Sequence, residues 1–106
     1  MKKSDKHPYA EVLVEFFSSE NGGRSLPVNL DDKGYRPHLR ILTEDEYLGV
    51  EFVEGPDTPT SPGQSAHATV RFLFWPDVNY ERLVIGTEFE ILEGPTVVGK
   101  GKVIRR

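Results

Sequence analysis

Cysteine is absent from this chain of 106 residues. Disulfides, thiolate zinc sites and cysteine nucleophiles are therefore excluded, and a fold of this size has to hold by packing alone. Long apolar runs are missing as well. No segment approaches the ~18 residues that a membrane-spanning helix needs. The basic start, "MKKSDKHP", lacks the apolar stretch of a secretory leader. Residues 1–8 read as a disordered tail, residues 9–106 as one domain, and the expected compartment is the cytoplasm. Cations are in deficit: 13 Lys and Arg face 17 Asp and Glu, for a net charge of −4. That balance opposes non-specific nucleic-acid binding, which needs many phosphate-neutralising side chains. It suits a protein partner. Finally, no window carries a helical period.

What is present is alternation, the signature of half-buried strands. In "YAEVLVEFF" (Tyr9 to Phe17), Ala10, Val12, Val14 and Phe16 share one face. "YRPHLRIL" (Tyr35 to Leu42) alternates Tyr35, Pro37, Leu39 and Ile41 with Arg36, His38 and Arg40. Pro37 cannot donate a ladder bond, so it belongs at a strand start or edge. "YLGVEFV" sets Leu48, Val50 and Phe52 on one face, and "SAHATVRFLF" does the same with Ala66, Ala68, Val70, Phe72 and Phe74. "TEFEIL" opposes Phe89 and Ile91 to Glu88 and Glu90. The last strand puts Val97, Gly99, Gly101 and Val103 inward, with Val98, Lys100, Lys102 and Ile104 outward. Gly, Pro and Asn fill the connections at 18–34 and 54–63. About six strands separated by turns predict an antiparallel barrel or sandwich.

One stretch tempts another reading. Gly94 to Gly101 fits the phosphate-loop pattern G-x-x-x-x-G-K-[ST] at every place but the last. Such a loop needs a Ser or Thr for Mg²⁺ and a following helix whose N-terminus holds the phosphates. Gly101 replaces the metal ligand, only five residues follow it, and the segment continues a strand alternation. The expectation is a hairpin turn entering a final strand, with Gly99 and Gly101 allowing a close backbone approach or a bulge. No nucleotide and no other cofactor is expected.

Read as a turn and a glycine-rich strand, Glu93 to Val103 resembles the end of the third domain of elongation factor Tu, which carries E-G-G-R-T-V-G-A-G-V-V. The family's G-G-R-H-T-P and Y-R-P-Q resemble Gly22 to Pro27 and Tyr35 to His38. Its P-G-D/Q strand opening resembles Pro62-Gly63-Gln64, and its closing histidine-proline resembles Trp75-Pro76. Order and spacing agree from Tyr9 to Ile104, with a few extra residues between Trp75 and Thr87. The resemblance implies a six-stranded antiparallel β-barrel. It also implies that GTP binding is absent, because in the family that belongs to a separate domain. In the family one barrel surface docks on the GTPase domain. Its positions here resemble Gly22, His38, Glu88 and Glu90, where Arg has become Glu88 and Ala has become Glu90. Another surface touches transfer RNA, and there an Arg and a Thr have become Thr96 and Val97.

Catalytic constellations do not emerge. His7, His38 and His67 show no metal-ligand spacing, and no G-x-S-x-G elbow occurs. Asp31-Asp32 and Glu44-Asp45-Glu46 lack the spacing of a calcium loop. The chain is expected to be a free-standing, non-catalytic protein-interaction module. Arg24, Tyr35, Arg36, His38, Glu88 and Glu90 are the candidate protein contacts, since Tyr and Arg are enriched in binding hot spots. Tyr35 as core, with Arg24 and Arg36 tying down the loop, is the competing reading. The alternative function is transfer-RNA binding through Lys100, Lys102, Arg105 and Arg106. Trp75 reads equally as a barrel plug or as an exposed anchor.

Overall fold

A computed structural model describes residues 8–18, 20, 26–31 and 33–106. Its strands are β1 (Tyr9–Phe16), β2 (His38–Ile41), β3 (Leu48–Glu54), β4 (Ser65–Phe72), β5 (Glu88–Glu93) and β6 (Thr96–Arg105). They close into a barrel in the order β1-β4-β3-β2-β5-β6, every neighbouring pair antiparallel. The expected six-stranded antiparallel barrel is therefore borne out. Closure leaves no sheet edge open to another chain.

Alternation builds the core. Val12, Val14, Phe16, Leu39, Val50, Phe52, Val70, Phe72, Phe89, Ile91 and Val103 are all buried. The ends are stoppered by loop residues that alternation does not reveal. At the upper end, which holds the connections 17–37, 55–64 and 94–95, Val28 and Leu30 join the core. Val28 and Thr60 exchange backbone hydrogen bonds of 3.0 and 2.8 Å there. At the lower end, which holds the connections 42–47 and 73–87, Tyr80 and Leu83 fill the same role. The Tyr80 ring stacks on Phe72 at 4.5 Å between centroids.

Gly99 and Gly101 face inward where β6 crosses β1. A Cβ on Gly101 would lie 2.5 Å from the Leu13 carbonyl oxygen, and one on Gly99 would lie 2.6 Å from that of Glu15. The expected close approach is thus present. So is a bulge: Ile91 pairs with Gly99 but Leu92 pairs with Val97, leaving Val98 unpaired between them. This corrects one facing. Val98 is buried and Val97 only half-buried, because the extra residue resets the alternation.

One other facing and one strand start differ from the sequence expectation. Phe74 is exposed rather than inward. Strand β4 ends at Phe72, the chain turns, and the Phe74 ring lies over Gly49. Strand β2 begins at His38 rather than Tyr35. The carbonyls of Tyr35 and Pro37 still accept from Phe52 and Val50, but Pro37 has no N–H to continue the ladder.

Candidate interaction surfaces

Register sets the outer face of β2, β5, β6 and β1. Arg40 pairs with Glu90, Glu90 with Lys100, and Lys100 with Glu15. One turn of the pleat below, Glu88 pairs with Lys102, and Lys102 with Leu13. Leu42 completes that row, its N–H donating to the Glu88 carbonyl. Directly opposed side chains have Cβ atoms about 4.5–5.5 Å apart, close enough for each charge to feel its neighbour. The face therefore carries three carboxylates and three cations in alternation. A groove of about 330 Å³ runs over it, with Leu13, Phe17 and Leu42 as its apolar lining.

The structure joins two candidate residues that are far apart in sequence. Arg40 donates to Glu90 at 2.6 Å, which raises the Arg40 pKa. The Arg40 guanidinium also lies 5.7 Å from the Tyr47 ring centre, and Tyr47 lies 5.8 Å from His38. His38 and Glu90 are the ends of one chain of contacts, with Arg40 and Tyr47 between. Glu88 is exposed beside it.

The remaining candidates divide. Tyr35 is half-buried: its ring packs against Phe16 and Phe52, and its hydroxyl donates to Glu93 at 2.6 Å. Arg36 donates through Nε to Glu51 at 2.9 Å, tying the end of the long loop to β3. Arg24 lies outside the described residues, as do residues 1–7 of the expected tail. On the RNA side, Lys100 and Lys102 are exposed within the charge ladder. Arg105 reaches Glu11 at 3.6 Å. Arg106 folds back over Phe72 at 4.7 Å and donates to the Leu83 carbonyl; burial lowers its pKa.

Glu51 was not singled out from sequence. It occupies an outward position on β3, yet only 5 % of its side chain is exposed. Its two oxygens accept from Arg71 at 2.7 Å and Arg36 at 2.9 Å. The hydrogen bonds from Arg71 and then Arg36 hold its pKa below the ordinary carboxylate value. A carboxylate whose folded pKa is depressed stabilises the fold above its unfolded pKa, and that stability disappears as pH falls through the folded value. Glu51→Gln is therefore expected to lower the thermal midpoint at pH ~7, and the gap to wild type should close well below pH ~4.3, the ordinary Glu value. Circular-dichroism melts across pH check this; a gap independent of pH would contradict the role given to the charge.

The lower end offers a different surface. Eight large apolar side chains are exposed among the described residues, and six of them stand on the two lower connections. They are Leu42, Tyr47, Phe74, Trp75, Val84 and Ile85, between 38 and 66 % exposed. Trp75 is thus an exposed side chain, not a plug; Tyr80 takes the interior place. An Arg82–Glu44 ion pair links the two connections. Sequence reading missed this surface because apolar residues in loops lack a period. The usable signal was the density of large apolar residues in a loop, "FWPDVNYERLVIG".

Among the described residues, no group of three His, Asp or Glu stands close enough to hold a metal ion. No family model matches the chain.

Proposed function

We propose that this chain is a non-catalytic protein-interaction module on the architecture that the third barrel of elongation factor Tu exemplifies. The observation that carries the reading is that six of the eight exposed large apolar side chains among the described residues stand on the two connections at one barrel end. Single exposed apolar residues are ordinary, but so many on the connections of one end support a docking surface. The closed barrel is the fold that the resemblance implies. A photo-crosslinking residue placed at Ile85 tests the reading in extract from the native cell. One protein should be captured at Ile85, not from the same residue at Asp57 on the opposite end, and capture should fail in Val84→Asp. Equal capture from both positions, or turnover of a substrate by the purified protein, would defeat it.

Transfer-RNA binding is the second reading, since Lys100 and Lys102 do face outward. The ladder weighs against it, because Glu15, Glu88 and Glu90 flank both lysines in register. A polyanion would meet as many carboxylates as cations on that face. Binding of transfer RNA at low salt, lost in Lys100→Glu, would promote this reading over the first.

A further inference from the structure

We infer that the lower end docks a basic amphipathic segment of a partner protein, one with apolar anchors flanked by lysine or arginine. This rests on the interaction reading above and adds the partner's chemistry. The two connections that carry the apolar residues also hold Glu44, Asp45, Glu46, Asp77 and Glu81, against Arg82 alone. Arg106 reaches in from the end of β6, donating to the Leu83 carbonyl and lining a hollow with Trp75 and Glu81, so five carboxylates meet two cations, an excess of three. These connections are therefore acidic on balance. Asp45, Glu46, Asp77 and Glu81 are exposed, while Glu44 is engaged by Arg82.

An apolar centre with a charged rim is the anatomy of a docking site: the centre supplies affinity, and the rim selects and steers the partner. An acidic rim repels a second copy of this chain brought end to end, because like charges would face each other. It repels an anionic lipid surface for the same reason. A cationic segment is the occupant that both features fit. The cationic ends of its side chains meet the rim while its apolar face covers Trp75, Val84 and Ile85.

The molecule supplies its own probe, since Trp75 is the single tryptophan and lies at this surface. The test uses the full chain and a leucine–lysine amphipathic peptide of about 18 residues, long enough to hold a helix. A leucine–glutamate peptide of the same pattern is the counterpart. The lysine peptide should shift Trp75 emission to the blue, and the glutamate peptide should not. Raising salt from about 0.01 M to about 0.15 M shortens the screening length from about 30 Å to about 8 Å and should weaken binding about tenfold. Combining Asp45→Lys, Glu46→Lys and Asp77→Lys should weaken it similarly, while Asp57→Lys on the opposite end should not. Ile85→Ser should weaken binding of the lysine peptide at either salt.

Equal shifts with both peptides, or binding indifferent to salt, would overturn the basic partner while leaving an apolar interaction surface in place. No shift with either peptide overturns the inference, and the crosslinking result at Ile85 then decides the broader reading separately. A Trp75 shift on vesicles of anionic lipid, or concentration-dependent dimerisation that Ile85→Ser abolishes, would assign the surface to a different occupant and also overturn it.

Discussion

Gly101→Val is expected to abolish the native fold, and Gly101→Ala to destabilise it severely. An alanine Cβ would sit 2.5 Å from the Leu13 carbonyl oxygen and 2.9 Å from both Phe89 Cζ and Val14 Cγ1. The nearest atom is backbone, so relief requires moving β1 away from β6. Overpacking a closed core costs roughly 1–3 kcal/mol, and more where the neighbour cannot yield. For a domain near 100 residues each kcal/mol shifts the thermal midpoint by about 4–8 °C. At about 3 kcal/mol, Gly101→Ala should lower that midpoint by roughly 12–24 °C. Valine adds two methyl groups in the same space and should leave no cooperative transition. Lys100→Ala, next door and exposed, should stay within about 0.5 kcal/mol of wild type. If Gly101→Ala melted like Lys100→Ala, the close approach of β1 and β6 would be wrong.

The same glycine decides the meaning of the phosphate-loop likeness. Gly94 lies in the turn between β5 and β6 with φ of 60°, a conformation that favours glycine. Gly99 and Gly101 let two backbones approach. Lys100 points outward between Glu15 and Glu90. The three glycines of the near-motif have structural tasks in a turn and a barrel seam, and no helix N-terminus follows.

The barrel was legible because its strands obey one period and its turns use Gly, Pro and Asn. In β1, buried Ala10, Val12, Val14 and Phe16 could be named from alternation alone. What stayed hidden depends on register and on loops. The facing of Val98 reversed because a bulge inserts one unpaired residue, and no local pattern announces which residue that is. Glu51 went unremarked because it opposes Val50 and Phe52 in the alternation. Its burial comes from Arg71, directly across in β4, and from Arg36, brought in by a loop. Of the candidate contacts, His38 and Glu90 were named without the Arg40 and Tyr47 that connect them, since that link exists only once β2 pairs with β5. The lower apolar end was missed for a related reason: two connections distant in sequence meet only when the barrel closes.

Tyr80 stands between the core and that end, and its loss is the second large effect expected. Its hydroxyl donates to the Gly49 carbonyl at 2.6 Å and accepts from the Phe74 N–H at 3.2 Å. One side chain thus pins the start of β3 to the connection that carries Trp75. Tyr80→Phe keeps the ring on Phe72 and leaves the Gly49 carbonyl its bond from the Leu73 N–H, but strands the Phe74 N–H, at a cost of about 1–3 kcal/mol. Tyr80→Ala also empties the ring's volume, and truncating a buried aromatic costs about 3–5 kcal/mol. Burial raises the Tyr80 pKa. The phenol's folded-state preference for its proton therefore contributes stability that is intact below the unfolded value of about 10 and lost as pH rises through the folded one. Wild type should weaken at alkaline pH by a component that Tyr80→Phe lacks, so the gap between the two should narrow above pH ~10. The phenylalanine variant separates anchoring from packing. If Tyr80 only filled space, Tyr80→Phe would melt like wild type at pH ~7 and leave Trp75 emission unchanged. If the hydroxyl holds the connection in place, the emission must change while the core survives.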